Sequence, residues 1–222
     1  MKLPALSQQT TAIERASGRE AFAFFMEQGT GKSYVALAEA ETFFRSGLIT
    51  QLAIIAPNGV QRNWLQREVP KLLTTEHLSL LWSPNHTAKF RALANNYASP
   101  INRHLLRIVA FNVEAFSIRK GKAEQFLAKL MALRPTMLVV DESSTIKTPT
   151  AQRTKNILRL SKLARVRRIL TGTPITQSPL NFYSQFHFLD PAILGFDTFT
   201  GFKSEYAEWR ERVMLSTPHT RT

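Results

Sequence analysis

Five short apolar runs punctuate the chain: AFAFFM at 21–26, LAIIAP at 52–57, LRIVAF at 106–111, MLVVDE at 137–142 and RRILTGT at 167–173. Each has the length of a strand, and most are apolar without alternation. That is how a strand reads when both faces of its sheet are covered. Segments with helical periodicity lie between them. One runs from Lys32 to about Arg45, with Gly47 as its stop, and a second covers Val60 to Leu73. A third spans Ala123 to Leu133 and ends at Pro135, and a fourth runs from Thr150 to about Ala164. This alternation predicts an α/β fold, a parallel β-sheet flanked by helices on both faces. After Thr173 the pattern changes. Pro174, Pro179 and Pro191 interrupt aromatic-rich stretches such as NFYSQFHFLD, which read as helices and loops leading off the sheet. The last residues, LSTPHTRT, have no apolar period and predict a frayed end.

The 222 residues fit one domain of ordinary size and are too few for two full α/β lobes. The 29 Lys and Arg against 16 Asp and Glu leave a formal charge of +13, which favours a polyanionic partner, nucleic acid before membrane. The absence of cysteine removes disulfides, thiolate zinc sites and cysteine nucleophiles, and fits a reducing compartment. No run approaches the roughly 20 apolar residues of a membrane-spanning helix. The N-terminal MKLPALSQQTTAIE has no apolar core like that of a signal peptide. The expectation is a soluble, cytoplasmic protein with no membrane partner. The histidines are scattered without metal-ligand spacing, and Trp82, Trp209 and the phenylalanines of 182–188 read as packing groups before base-stacking ones.

Two segments carry candidate chemistry. In AFAFFMEQGTGKSYVALAEA an apolar strand runs into Gly29, Thr30, Gly31, Lys32 and Ser33, and an amphipathic helix follows. Triphosphate binding needs this arrangement: a tight glycine turn aims backbone N–H groups inward, and the helix N-terminus adds partial positive charge. Lys32 would reach the β- and γ-phosphates and the Ser33 hydroxyl would ligate Mg²⁺. Met26 stands where the full phosphate-loop pattern has its first glycine, so the flanking strand and helix carry the reading. In MLVVDE, Asp141 and Glu142 follow four apolar residues, at the strand end where open α/β sheets bind ligands. Read alone, such a pair is equally an ordinary polar strand exit. With a phosphate loop upstream, Asp141 reads as a holder of Mg²⁺ and Glu142 as the group that orients and deprotonates water.

With these segments placed, the chain resembles the first RecA-like lobe of a Swi/Snf-type superfamily-two helicase or translocase, nearest to phage and bacterial members. The resemblance covers nearly all of residues 1–212. Gln9, in SQQTTA, resembles the adenine-reading glutamine; MEQGTGKS resembles motif I; LAIIAPNGVQRNWLQREVPK resembles motif Ia, with Pro57, Trp64 and Glu68 as its typical members. IVAFNVEAF resembles motif Ib, VVDESSTIKTPTAQRTKNILRL motif II, and RRILTGTPITQSPLNFYSQFHFLDP motif III with the helix after it. The resemblance implies ATP and Mg²⁺ as cofactors and a DNA-dependent ATP hydrolase. It implies a nucleotide site of Gln9, Gly29, Thr30, Gly31, Lys32, Ser33, Thr171, Gly172 and Thr173, with Lys32, Asp141 and Glu142 catalytic and Ser33 and Asp141 on the metal. It also implies a double-stranded DNA track contacted by Asn58, Gln61, Arg62 and Trp64, and by Lys147 and Arg153 beyond motif II. Lys155, Arg159, Lys162, Arg165, Arg167 and Arg168 continue that basic run. A solvated helix face is the alternative reading of any one of these basic residues.

Two departures from the family pattern stand out. Motif II reads DESS, with Ser143 and Ser144 in place of Ala-His. The missing His leaves open how the ATP site is linked to motif III, but a serine can still make a hydrogen bond there, so the change is not read as loss of catalysis. Nothing resembles the second lobe or its arginine finger. The expected organisation is therefore an ATP-binding lobe at 1–195 and a C-terminal helix and frayed tail at 196–222. The second lobe would be absent, or supplied by another chain. The competing reading is a non-catalytic DNA- or protein-binding module with a vestigial nucleotide site. A different P-loop ATPase, of recombinase or AAA type, fits the I-K-x-P and TGTPI runs poorly.

Overall fold

The computed structural model describes residues 1–174 and 178–207; the tail, with Trp209 and His219, lies outside the described residues. The sheet has six parallel strands: β1 (Ala21–Phe25), β2 (Gln51–Ala56), β3 (His77–Leu81), β4 (Leu106–Asn112), β5 (Thr136–Asp141) and β6 (Val166–Thr171). Their spatial order is β1-β6-β5-β2-β4-β3. The helices are α1 (Ser7–Ala16), α2 (Lys32–Arg45), α3 (Val60–Asn63), α4 (Val69–Leu72), α5 (Ala88–Ala98), α6 (Lys122–Leu133), α7 (Gln152–Ser161), α8 (Phe182–Leu189) and α9 (Phe199–Tyr206).

The non-alternating runs have the cause expected of them. In β2, Leu52, Ile54 and Ala56 enter one core with residues of α2, while Ala53 and Ile55 enter the other core with residues of α6 and α7. Met137 and Val139 of β5 likewise face the first core, and Leu138 and Val140 the second. Each buried aliphatic side chain contributes about 1.5–3 kcal/mol relative to exposure, so both faces of the central strands must be apolar. Helix α2 is buried from Tyr34 through Glu41, and its chain stops at Gly47, whose φ of 75° closes the C-terminal turn.

Three elements differ from the sequence reading. The run AFAFF is at the sheet edge, paired only with β6 among the described residues, and Phe25 is 40% exposed against the rings of Phe182 and Phe186. β3, at the opposite edge, is a short half-exposed strand that a search for fully apolar runs passes over. The segment expected as one helix from Val60 contains a π-helical turn at Trp64–Glu68 between α3 and α4. Pro70 supplies the reason. Its ring would collide with the carbonyl of Gln66 in a continuous α-helix, and the wider turn just before it relieves the clash.

Two buried acids on α2 anchor it. Glu39 accepts from Arg168 of β6 through both oxygens, at 2.7 and 2.8 Å. The remaining Arg168 donors go to the carbonyls of Arg19, Glu20 and Arg167, so all five N–H groups are satisfied. Glu41 accepts from the Met1 amino group at 2.6 Å and from the backbone and hydroxyls of Thr74 and Thr75. Burial pushes its carboxyl up, and these donors more than offset that, leaving its pKa at about 2.

Candidate functional site

The C-terminal ends of β1, β5 and β6 are neighbours, with Phe25 in register with Thr171 and Asp141 with Leu170. The loop after β1, the acids after β5 and the TGT segment after β6 therefore converge from three separate places in the sequence.

The loop is braced from within. The Thr30 hydroxyl donates to the Glu27 carbonyl at 2.7 Å. Lys32 Nζ donates to the carbonyls of Met26 at 3.0 Å and Glu27 at 3.2 Å, which holds its charge over the loop mouth. Gly31 is the N-cap of α2 at φ 87°, and a Cβ there would fall 2.1 Å from Gln9 Nε2. Gln9 is buried and used at both ends: its Oε1 accepts from Leu6 N at 2.9 Å and its Nε2 donates to Thr30 O at 3.1 Å. It thus ties α1 to the loop. The 14-residue helix α2 begins at Lys32 with no acid in its first turn, so its N-terminal partial charge is uncompensated locally.

Asp141 is 8% exposed. Its Oδ2 accepts from Trp64 Nε1 at 2.8 Å and its Oδ1 from Glu142 N at 3.0 Å. Burial pushes its carboxyl above the usual range; the Trp64 N–H opposes this, the Glu142 charge adds to it, and Lys32 opposes it. Glu142 adopts φ 49°, a left-handed conformation that costs a non-glycine residue roughly 1–2 kcal/mol. Its Oε2 accepts from Thr171 Oγ1 at 3.3 Å, and Thr171 Oγ1 in turn accepts from Thr173 N at 3.1 Å. A cavity of about 310 Å³ lies among Glu27, Gln28, Glu142, Gly172 and Thr173. A Cβ at Gly172 would come into contact with Met26 O and Gln28 N at 3.4 Å, so the TGT segment lies close against the loop after β1.

The DESS departure has a structural counterpart that the sequence reading misses. Ser143 Oγ donates to Gln185 Oε1 at 2.6 Å, and Gln185 Nε2 donates to the carbonyls of Pro174 at 2.9 Å and Asn181 at 3.0 Å. Ser143 and Gln185 are both fully buried. The acid strand is thereby joined to the segment after β6 through α8. The only sequence signal for this is a glutamine set among the aromatic residues of NFYSQFHFLD.

The expected metal-holding groups have the chemistry of a hard-cation site. They are the Asp141 carboxylate and the Ser33 hydroxyl, oxygen ligands of the kind Mg²⁺ takes with water completing the shell. The Ser33 hydroxyl has no hydrogen-bond partner among the described residues.

The expected nucleic-acid residues divide. Asn58 and Arg62 are exposed at the end of β2. Trp64 is not a surface contact: it is 1% exposed and its N–H is spent on Asp141. Gln61 is also buried, with its Nε2 3.5 Å from Asn58 Oδ1, so its reading as a contact is corrected too. The cause is the helical face: residues 61 and 64 point to the core and residue 62 to solvent. Lys147 is half-buried just after the turn at Ser143–Ile146. Arg153 pairs with Glu114, Arg159 with Glu124 and Arg165 with Glu20. Arg168 leaves the basic run altogether, being fully buried against Glu39.

The model of the SNF2-related domain matches residues 13–215. The chain belongs to that family. Among curated SNF2 relatives, the DNA repair and recombination protein RAD54B of Gallus gallus is 25% identical over 187 residues, 82% of this chain and 18% of its own length. The chromatin-remodeling ATPase INO80 of Candida albicans is 26% identical over 187 residues, again 82% of this chain and 12% of its own. The chain thus spans less than a fifth of either relative. Among solved structures, the Sulfolobus solfataricus SWI2/SNF2 ATPase core in complex with dsDNA superposes with a TM-score of 0.69 at 19% identity, over 92% of this chain and 39% of that one. The UvsW helicase of bacteriophage T4 superposes at 0.60 and 10% identity, over 84% of this chain and 58% of that one. Both show the same fold, an α/β lobe built on a parallel sheet.

Proposed function

We propose that this chain is the ATP-binding lobe of a DNA-dependent ATPase that moves on double-stranded DNA when a second RecA-like lobe completes it. The observation that carries the reading is the convergence at one sheet end of the phosphate loop, the Asp141–Glu142 pair and the Thr171–Thr173 segment. In this reading the N-terminus of α2 and the loop amides receive the phosphates. Lys32 exchanges the carbonyls of Met26 and Glu27 for phosphate oxygens, and Gln9 keeps the loop in shape. Ser33 and Asp141 would hold Mg²⁺, which would supply neutralising charge to the triphosphate. Glu142, half-buried and steered by Thr171, orients the attacking water and takes its proton. Asn58 and Arg62, with Lys147, meet the DNA backbone and position it without reading sequence. The excess positive charge and the dsDNA complex of the archaeal relative support DNA as the track.

The test is Mg²⁺–ATP binding and turnover, with and without duplex DNA, beside Lys32→Ala. The expected result is binding that weakens at least about tenfold in the variant, the scale of a charge-assisted contact. DNA-stimulated turnover would show a complete site, with an arginine provided in trans. Binding without turnover would show one lobe of a two-lobed motor. No binding by the unaltered chain would overturn the proposal in favour of a plain DNA- or protein-binding module.

A further inference from the structure

Trp64 is among the largest fully buried side chains of the molecule, and its one polar atom is aimed at Asp141. An indole N–H is a donor and nothing else, so the contact fixes which oxygen of Asp141 is engaged. The second oxygen takes Glu142 N, and the two bonds together leave the carboxylate a single rotamer. The backbone is shaped for this. Trp64 O accepts from Val69 N, five residues on, and the buried positions of the segment fall at 61, 64, 69 and 72. The five-residue step is the π-helical turn, a feature frequent at functional sites. It lets Trp64 and Val69 share the inward face although Pro70 forbids a regular turn there.

We infer that Trp64 is a positioning residue, whose indole N–H holds the Asp141 carboxylate in the orientation that receives the divalent cation of the nucleotide complex. This rests on the nucleotide reading of the site given above. Without the N–H, a carboxylate buried this deeply loses a donor it cannot replace with water, and it turns toward the remaining charge on Lys32. A hydrogen bond to a charged group corresponds to roughly a tenfold or larger factor in an equilibrium. That factor should appear in the cation-dependent part of nucleotide affinity and nowhere else.

The experiment measures a non-hydrolysable ATP analogue binding to the full chain by calorimetry, once with Mg²⁺ and once with EDTA. It compares the unaltered protein, Trp64→Phe, and the protein carrying benzothienylalanine at position 64, which keeps the indole shape and lacks the donor. The expected result is that the affinity gained from Mg²⁺ falls about tenfold in both substituted proteins while the affinity in EDTA is unchanged. Equal loss in both conditions would show a merely structural tryptophan, and an unchanged Mg²⁺ gain would show an idle hydrogen bond; either overturns the inference. If Trp64→Phe fails to fold, the isosteric protein decides. Exchange of the Trp64 indole proton with deuterium separates the two proposals. A protected proton that becomes labile in Asp141→Ala upholds the hold on Asp141 even where the unaltered chain binds no nucleotide. A labile proton in the unaltered chain refutes the hold, whatever the nucleotide does.

Discussion

Replacing Glu39 by Gln removes one partner from an ion pair that has no access to water. Arg168 is fully buried, and every one of its five N–H groups has an acceptor, two of them the oxygens of Glu39. A glutamine offers one acceptor oxygen where the carboxylate has two, and its NH₂ turns a donor toward an arginine donor. Breaking a buried pair from one side costs about 3–5 kcal/mol, because the surviving charge stays uncompensated. With a urea m-value of about 2 kcal/mol/M, that is a fall of about 1.5–2.5 M in the denaturation midpoint. Replacing both partners, Glu39→Leu with Arg168→Met, should cost less than the single change, since no charge is then stranded. Circular dichroism against urea on the unaltered chain, Glu39→Gln and the double variant makes the comparison. A single variant within about 1 kcal/mol of the unaltered chain, or a double variant weaker than the single, refutes the reasoning. The pair joins residues 129 apart in sequence, α2 behind the phosphate loop and β6 behind Thr171, so nucleotide affinity should fall with stability.

Gly31→Ala forces a side chain into φ 87° and onto Gln9 Nε2, breaking its bonds to Thr30 and Leu6. The expected cost is about 2–4 kcal/mol in thermal or urea unfolding, together with loss of nucleotide binding. Glu41 gives a pH signature: its folded pKa of about 2 lies below the ordinary 4.5, so its contribution is complete above pH 4.5 and is lost as pH falls through 2. The shift corresponds to about 3 kcal/mol, and the stability gap between the unaltered chain and Glu41→Gln should close over that window in acid titrations of unfolding.

How much of the fold and the site is legible in the sequence depends on the kind of signal. Strands buried on both faces announce themselves, because every residue must be apolar; β2 and β5 are readable from that alone. A half-exposed edge strand need not be apolar throughout, and β3 escapes notice for that reason, whereas β1 at the other edge is read from its aromatic run. The loop after β1 is legible as a strand, a glycine turn and a helix in succession, because glycine, lysine and serine stand between an apolar run and a helical period; that it receives a triphosphate is part of the proposal. Trp64 is misplaced because a motif gives residue identities and spacing but not which face looks inward. The five-residue step from Trp64 to Val69, followed by Pro70, is a mark of the π turn that the sequence does carry. Gln185 has no such mark, since its partner Ser143 lies 42 residues away and only the tertiary fold brings them together.

The position of β1 bears on how the protein is made. Among the described residues β1 pairs with β6 alone, and the backbone of Glu20 and the side chain of Arg168 that meet at its base are 148 residues apart. At a synthesis rate of about 5–20 residues per second, the AFAFF strand waits roughly 7–30 s for its sheet partner to leave the ribosome. Until then the phosphate loop hangs from an aromatic strand with no ladder, the kind of segment that chaperones bind and that aggregates when left uncovered. The sheet end that carries the candidate site is thus the last part of the sheet to assemble, and a nascent chain that stalls before Thr171 holds every glycine of the loop without the strand that gives the loop its footing.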